Sequence, residues 1–245
     1  MMRLLLPLLA LLLALPAAGQ PAPSPGQPAP SGPPALSAKE LNTSGFRLYQ
    51  EGKYPEALEK FRAAVQADPK HALAQYNVAA TLGVLRKQGL VCDYNAYKED
   101  ILIALQASVK LDSRRLTRAK EDADLDPIRD TVGWQMLLGL SPTRAADVPV
   151  ILRKVSWYGP GIGVYGTLVT LRFEDRGKVT LVRKVVQDEG PPKPETLTGT
   201  YTVKGNKVQV RFPGQKPDAG TLSDSGLLTF KGLGNFTDSP SECDA

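Results

Sequence analysis

The sequence predicts an α+β protein in two domains, an antiparallel helical array followed by a small antiparallel β-barrel or β-sandwich. Three observations carry this expectation. Apolar residues recur at helical spacing from Ser37 to about Leu140. The pattern changes to period two from about Val148, and glycine-bearing turn signals separate the consecutive runs. At 245 residues the chain can close two modest hydrophobic cores. A hydrophobic share of 42% and a charged share of 22% argue against both wholesale disorder and a membrane bundle. The net charge of +5 comes from interspersed residues, with no block of Lys and Arg of the kind a phosphate backbone needs, so nucleic acid is not expected as a partner.

At the amino end, Arg3 precedes the apolar run Leu4 to Leu15, and Ala17-Ala18-Gly19 supplies small residues before Gln20. Residues 1–19 therefore read as a signal peptide cleaved near Gly19, and the chain is expected to be exported, periplasmic or secreted. The apolar run falls short of the roughly 20 residues that cross a bilayer, so no membrane span is expected in the mature chain. Residues 20–36 are rich in proline and lack apolar periodicity, which makes them a disordered, partly extended linker.

Residues 37–141 form the helical domain. Leu41, Gly45, Leu48 and Tyr49 share one helical face, as do Tyr54, Ala57, Leu58, Phe61, Ala64 and Val65, with Gly52 between the two runs. Asp68-Pro69 ends the second helix because proline disfavours helical geometry in the residue before it. The set Gly45, Gly52, Tyr54, Ala57, Leu58, Phe61, Ala64 and Pro69 resembles the tetratricopeptide repeat, whose period is about 34 residues. A second copy opens at Ala72 with Tyr76-Asn77-Val78-Ala79. Its end, Ala107 to Asp112, echoes Ala63 to Asp68 at a separation of 44 residues, which implies an insertion of about ten around Gln88 to Tyr97, carrying Cys92. Asp122 to Arg129 resembles the segment that closes such arrays in bacterial proteins, leading into a last helix through Trp134, Leu137 and Leu138.

The resemblance implies a protein-binding role through the concave face. Carried over by position, that face presents Lys39, Asn42, Phe46, Tyr49 and Gln50, then Leu73, Tyr76, Ala80, Gly83 and Val84. It is aromatic and nearly uncharged, so the implied partner is a protein or peptide with an apolar segment. The family's clamp for carboxyl termini has Lys at the place of Asn42 and Asn at the place of Phe46, and this chain departs from it. In an array this short, the same face can instead pack on the second domain or the tail.

Residues 148–236 form the β domain, with a tail at 237–245. Val169, Leu171 and Phe173 alternate with polar neighbours, as do Val179 and Leu181, Tyr201 and Val203, and Val208, Val210 and Phe212. Arg176-Gly177, Gly205-Asn206 and Asp224-Ser225-Gly226 mark hairpins. About six to eight strands are expected. The order Trp157, strand pairs, then Gly199-Thr200-Tyr201-Thr202-Val203 before Gly205-Asn206 loosely resembles small lipocalin-type domains. That resemblance implies the alternative function, carriage of a small apolar ligand inside the barrel.

No catalytic constellation, metal site or cofactor motif is expected. Gly161-Ile162-Gly163-Val164-Tyr165-Gly166 fits a dinucleotide fingerprint, but a strand pattern follows where a helix is required. Asp122, Asp124 and Asp126 begin like a calcium loop that Pro127 then spoils, leaving an acidic helix-capping turn. His71 is the only histidine and lies in an inter-repeat turn. Cys92 and Cys243 are either a disulfide, which export permits, or two separate thiols. The sequons at Asn42 and Asn235 read as chance matches.

Overall fold

The structure is a computed structural model that describes residues 36–159, 168–185, 193–240, 242 and 243. The leader, nearly all of the proline-rich linker and the glycine-rich run 161–166 lie outside the described residues. From Leu36 onward the chain forms one compact unit.

Helix α1 (Ala38–Gln50) starts at a reciprocal cap, in which Ser37 Oγ accepts from the Glu40 backbone and Glu40 accepts from the Ser37 backbone at 2.9 Å. It ends at Gly52, whose φ of 75° lets Lys53 N–H reach back to the Leu48 carbonyl at 2.9 Å. Helix α2 (Tyr54–Ala67) lies against α1. A Cβ on Gly45 would come within 2.7 Å of the Phe61 ring, so glycine sets the approach of these two helices. Helix α3 (Ala72–Lys87) is capped by His71 Nδ1, which accepts from Ala74 N–H at 3.1 Å. The one histidine thus serves the backbone. Short α4 (Val91–Tyr94), ending at left-handed Asn95, fills the insertion, and α5 (Lys98–Leu111) returns along α3.

Helix α6 (Arg114–Glu121) leads into a 3-10 turn, Ala123–Ile128, in which Asp122 accepts from Asp124 N–H at 3.1 Å. That turn does not extend the array outward; it folds back onto α3. Helix α7 (Val132–Leu137) buries Trp134, while Leu138 remains 41% exposed and is not part of the core. The segment Val148–Lys154 corrects the strand reading: it is helix α8. Val148, Ile151, Leu152 and Val155 fall at i, i+3, i+4 and i+7 and are buried in the barrel core. A short run of β-branched residues carries no period of its own, so its neighbours decide its geometry.

The β part is an eight-stranded antiparallel meander in sequential order. Its strands are β1 (Trp157–Tyr158), β2 (Leu168–Phe173), β3 (Lys178–Val185), β4 (Lys193–Lys204), β5 (Lys207–Arg211), β6 (Asp218–Leu222), β7 (Leu228–Phe230) and β8 (Gly234–Phe236). Reciprocal hydrogen bonds between Tyr158 and Thr237, at 2.8 and 2.9 Å, join the last strand to the first and make it a nearly closed barrel. The expected turns at Gly177, Gly205 and Gly226 all hold left-handed glycine, with φ of 73°, 63° and 84°. The interior is packed by the period-two residues, including Trp157, Leu171, Phe173, Val179, Leu181, Val208, Val210, Phe212, Phe230 and Phe236. Trp157 Nε1 donates to the Leu152 carbonyl at 3.1 Å, which seats α8 against β1.

The helical and β parts meet at polar contacts. Lys98 Nζ, buried at the start of α5, pairs with Asp130 at 2.7 Å and lies 5.4 Å from the Tyr158 ring centre. The Asp238 carboxylate accepts from Val132 N–H at 2.8 Å, and burial raises its pKa above the ordinary carboxylate value. Val132 packs into the barrel core, against the turn at Gly226. The cysteines are joined: Cys92 and Cys243 form a disulfide between α4 and the tail.

Candidate binding face on the helical array

The face carried by α1 and α3 is occupied in its deeper half by the chain itself. A Cβ on Gly83 would overlap the Asp124 carbonyl oxygen, so the 3-10 turn rests directly on α3 at that glycine. Two tyrosines then tie the turn down. Tyr49 Oη donates to Asp124 Oδ2, and Tyr76 Oη donates to Asp122 Oδ2 at 2.6 Å. Both phenols titrate well above their ordinary value, chiefly because burial disfavours phenolate and next because each donates to a carboxylate. The Arg118 guanidinium lies 5.3 Å from the Tyr76 ring centre and opposes part of that rise.

The positions expected to face a partner divide accordingly. Tyr76, Ala80, Gly83 and Val84 are buried on α3, and Leu73 is half-buried. Asn42 is also buried and accepts from Asn77 Nδ2 at 2.9 Å, a paired polar contact between α1 and α3. Its burial leaves it out of reach of modification in the folded chain. Lys39, Phe46 and Gln50 are exposed, with Tyr49 half-buried between them and the turn. Among the described residues, the closing segment of the array covers this face at Gly83, Tyr49 and Tyr76.

What stays open is a small pocket. Its volume is about 100 Å³, and it is walled by Phe46, Tyr49, Phe61, Tyr76, Asn77 and Ala80 on one side and by Arg118, Asp122 and Asp124 on the other. Phe46 stands at its rim at 45% exposure, the one strongly exposed aromatic among the described residues. Arg118, Asp122 and Asp124 are site residues that the sequence reading missed. Asp124 meets a tyrosine 75 positions away, and nothing local to an acidic turn announces such a contact.

A second concavity of about 600 Å³ lies on the face of β1–β4, where Thr170, Arg172, Thr180, Val182, Lys184 and Thr198 line it beside Tyr158. Buried Val155, Trp157 and Leu171 form part of its wall, and its outward Thr, Arg and Lys side chains alternate along β2 and β3 with the buried Phe173, Val179 and Leu181. Among the described residues no group of His, Cys, Asp and Glu is arranged to hold a metal ion, and no helix is long and apolar enough to cross a membrane.

A family model of the TPR repeat matches residues 45–83, from the middle of α1 through most of α3. No curated protein matches the chain.

Proposed function

Because the chain carries a tetratricopeptide repeat, we propose that it is an exported, non-enzymatic adaptor that holds a protein partner through α1 and the rim of the array. The observation that carries this reading is Phe46, a large apolar side chain left exposed above a pocket walled by further aromatic rings. A pocket of about 100 Å³ has room for one medium-sized apolar side chain, not for a peptide lying along the whole groove. The partner therefore presents a single apolar anchor, flanked by contacts to Lys39, Gln50 and the outer surface of α1. Anchors of this kind, set in a desolvated pocket with a polar surround, supply most of the energy of an interface. The β1–β4 face adds a second contact surface.

Support for the adaptor is the repeat match itself; the barrel, whose described interior positions are filled by the chain's own aromatic and aliphatic side chains, is compatible with both the adaptor and the carrier. Export rests on the leader at residues 1–19. The test is a photoreactive side chain placed at Phe46 and, separately, at Thr229, exposed on β7 away from the β1–β4 face, in cells making the full chain. Capture of one discrete protein at position 46 and not at 229 is the expected outcome. No capture at 46, or the same products at both positions, removes the reading. Amino-terminal sequencing of the mature chain tests export, with a start close to Gln20 expected.

A further inference from the structure

The carboxyl end of the chain is fastened to the helical array by bonds of unequal durability. Leaving β8, Thr237 closes the barrel on Tyr158, Asp238 accepts from Val132 N–H, and the Asp238 carbonyl receives Lys98 Nζ at 3.4 Å. Farther out, Glu242 accepts from both terminal nitrogens of Arg86, at 2.7 and 2.5 Å, and Cys243 is bonded to Cys92 in α4. Arg86 Nη1 also donates to the Ala96 carbonyl at 3.2 Å, so one guanidinium joins α3, the insertion and the tail. The Arg86 and Glu242 side chains are only 11% and 22% exposed, whereas both half-cystines are exposed to solvent. A shielded, bidentate ion pair therefore sits next to a disulfide that a thiolate can reach.

We propose that the tail beyond Asp238 is a redox-released strap, closed by the Cys92–Cys243 disulfide and guided back to closure by the Arg86–Glu242 pair. A dithiol reductant opens it. One of its thiolates attacks a sulfur of the disulfide, the S–S bond breaks, and a mixed disulfide forms. The second thiol of the reductant resolves that intermediate, leaving the reductant oxidised by two electrons and Cys92 and Cys243 each protonated. The inner contacts at Thr237 and Asp238 belong to the barrel closure and to the start of α7, and they persist. The element freed is α4 and the insertion around it, so redox state acts on the second repeat while the barrel stays shut. Arg86 is a positioning residue: it holds Glu242, and through it Cys243, beside Cys92, which favours reclosure.

Two measurements on the full chain test this. Hydrogen exchange of oxidised and reduced protein should show at least a tenfold faster exchange in residues 89–97 and in the tail after reduction, with β2–β6 unchanged. Unchanged exchange in the insertion overturns the strap, and so does faster exchange throughout the barrel, which would make the disulfide a global staple. Equilibration in glutathione buffers should then show the ratio of disulfide to dithiol falling about tenfold in Arg86→Gln, the loss expected for a charge-assisted pair. Glu242→Gln, which leaves the Arg86–Ala96 contact in place, should give the same shift. An unchanged ratio in Glu242→Gln rejects the positioning role.

Discussion

Gly83→Ala sets two effects of opposite sign against each other. Gly83 lies inside α3, where alanine alone would stabilise the helix by about 1 kcal/mol. Its Cβ, however, would overlap the Asp124 carbonyl oxygen and lie 3.0 Å from the carbonyl carbon. Backbone cannot swing aside as the end of a side chain can, so either α3 or the closing turn must move. Overpacking of this kind costs about 1–3 kcal/mol. Lifting the turn also loosens the hydrogen bonds from Tyr49 and Tyr76 to carboxylates, worth about 1.5–3 kcal/mol each when made. With one such bond lost and the propensity gain subtracted, the net destabilisation is about 1.5–5 kcal/mol. For a chain of this size that lowers Tm by roughly 3–20 °C. Calorimetry and urea unfolding of the oxidised protein provide the measurement, with near-ultraviolet circular dichroism reporting the tyrosines. A variant as stable as the parent, or more so, would refute the claim that the turn rests on α3.

Tyr49 and Tyr76 have pKa values raised by folding, so the unfolded chain ionises first. Their contribution to stability is complete below the unfolded value of about 10 and is lost as pH rises above it toward the folded values. Unfolding free energy measured against pH should be flat in this respect up to about 10 and fall beyond it, with the double variant Tyr49→Phe, Tyr76→Phe falling less steeply. Trp157→Ala should cost about 3–5 kcal/mol, because it removes a fully buried ring and leaves the Leu152 carbonyl without its indole donor. Proteolysis of that variant should begin in the strands, and resistance equal to the parent's would contradict the packing of α8 on β1. Lys98→Met should lower stability by about 1–3 kcal/mol, since it strips Asp130 of its partner and removes the cation from Tyr158. A stability change within 0.5 kcal/mol, the usual limit for a surface residue, would show that this junction carries no load.

The parts legible in the sequence are those whose determinants lie close together along the chain. Gly45 and Phe61, sixteen positions apart, fix one helix pair, and the 44-residue separation between Ala63–Asp68 and Ala107–Asp112 places the insertion that α4 fills. Hairpins were legible for the same reason, since Gly177, Gly205 and Gly226 each carry the left-handed geometry that the turn needs. Helix α8 was not legible: four apolar residues in seven suit a strand as well as a helix, and only the barrel core they pack into decides. Nor was the covering of the groove. Asp122 and Asp124 look like an ordinary capping turn, and their second role depends on tyrosines one and two helix pairs earlier. Gly83 was the one local clue, a glycine where a helix gains nothing from it unless something approaches closely. The disulfide stayed open in the sequence because two cysteines far apart say nothing of their distance in space.

The adaptor reading stands or falls on Phe46. It is exposed, so Phe46→Glu should leave the melting temperature within a few degrees of the parent while placing a charge where an apolar anchor must dock. The decisive measurement is the affinity of that variant for the partner captured at position 46, by calorimetric titration beside the parent chain. Binding weakened at least tenfold with an unchanged melting temperature is the expected result; equal affinity would mean that the captured partner is held somewhere other than at Phe46.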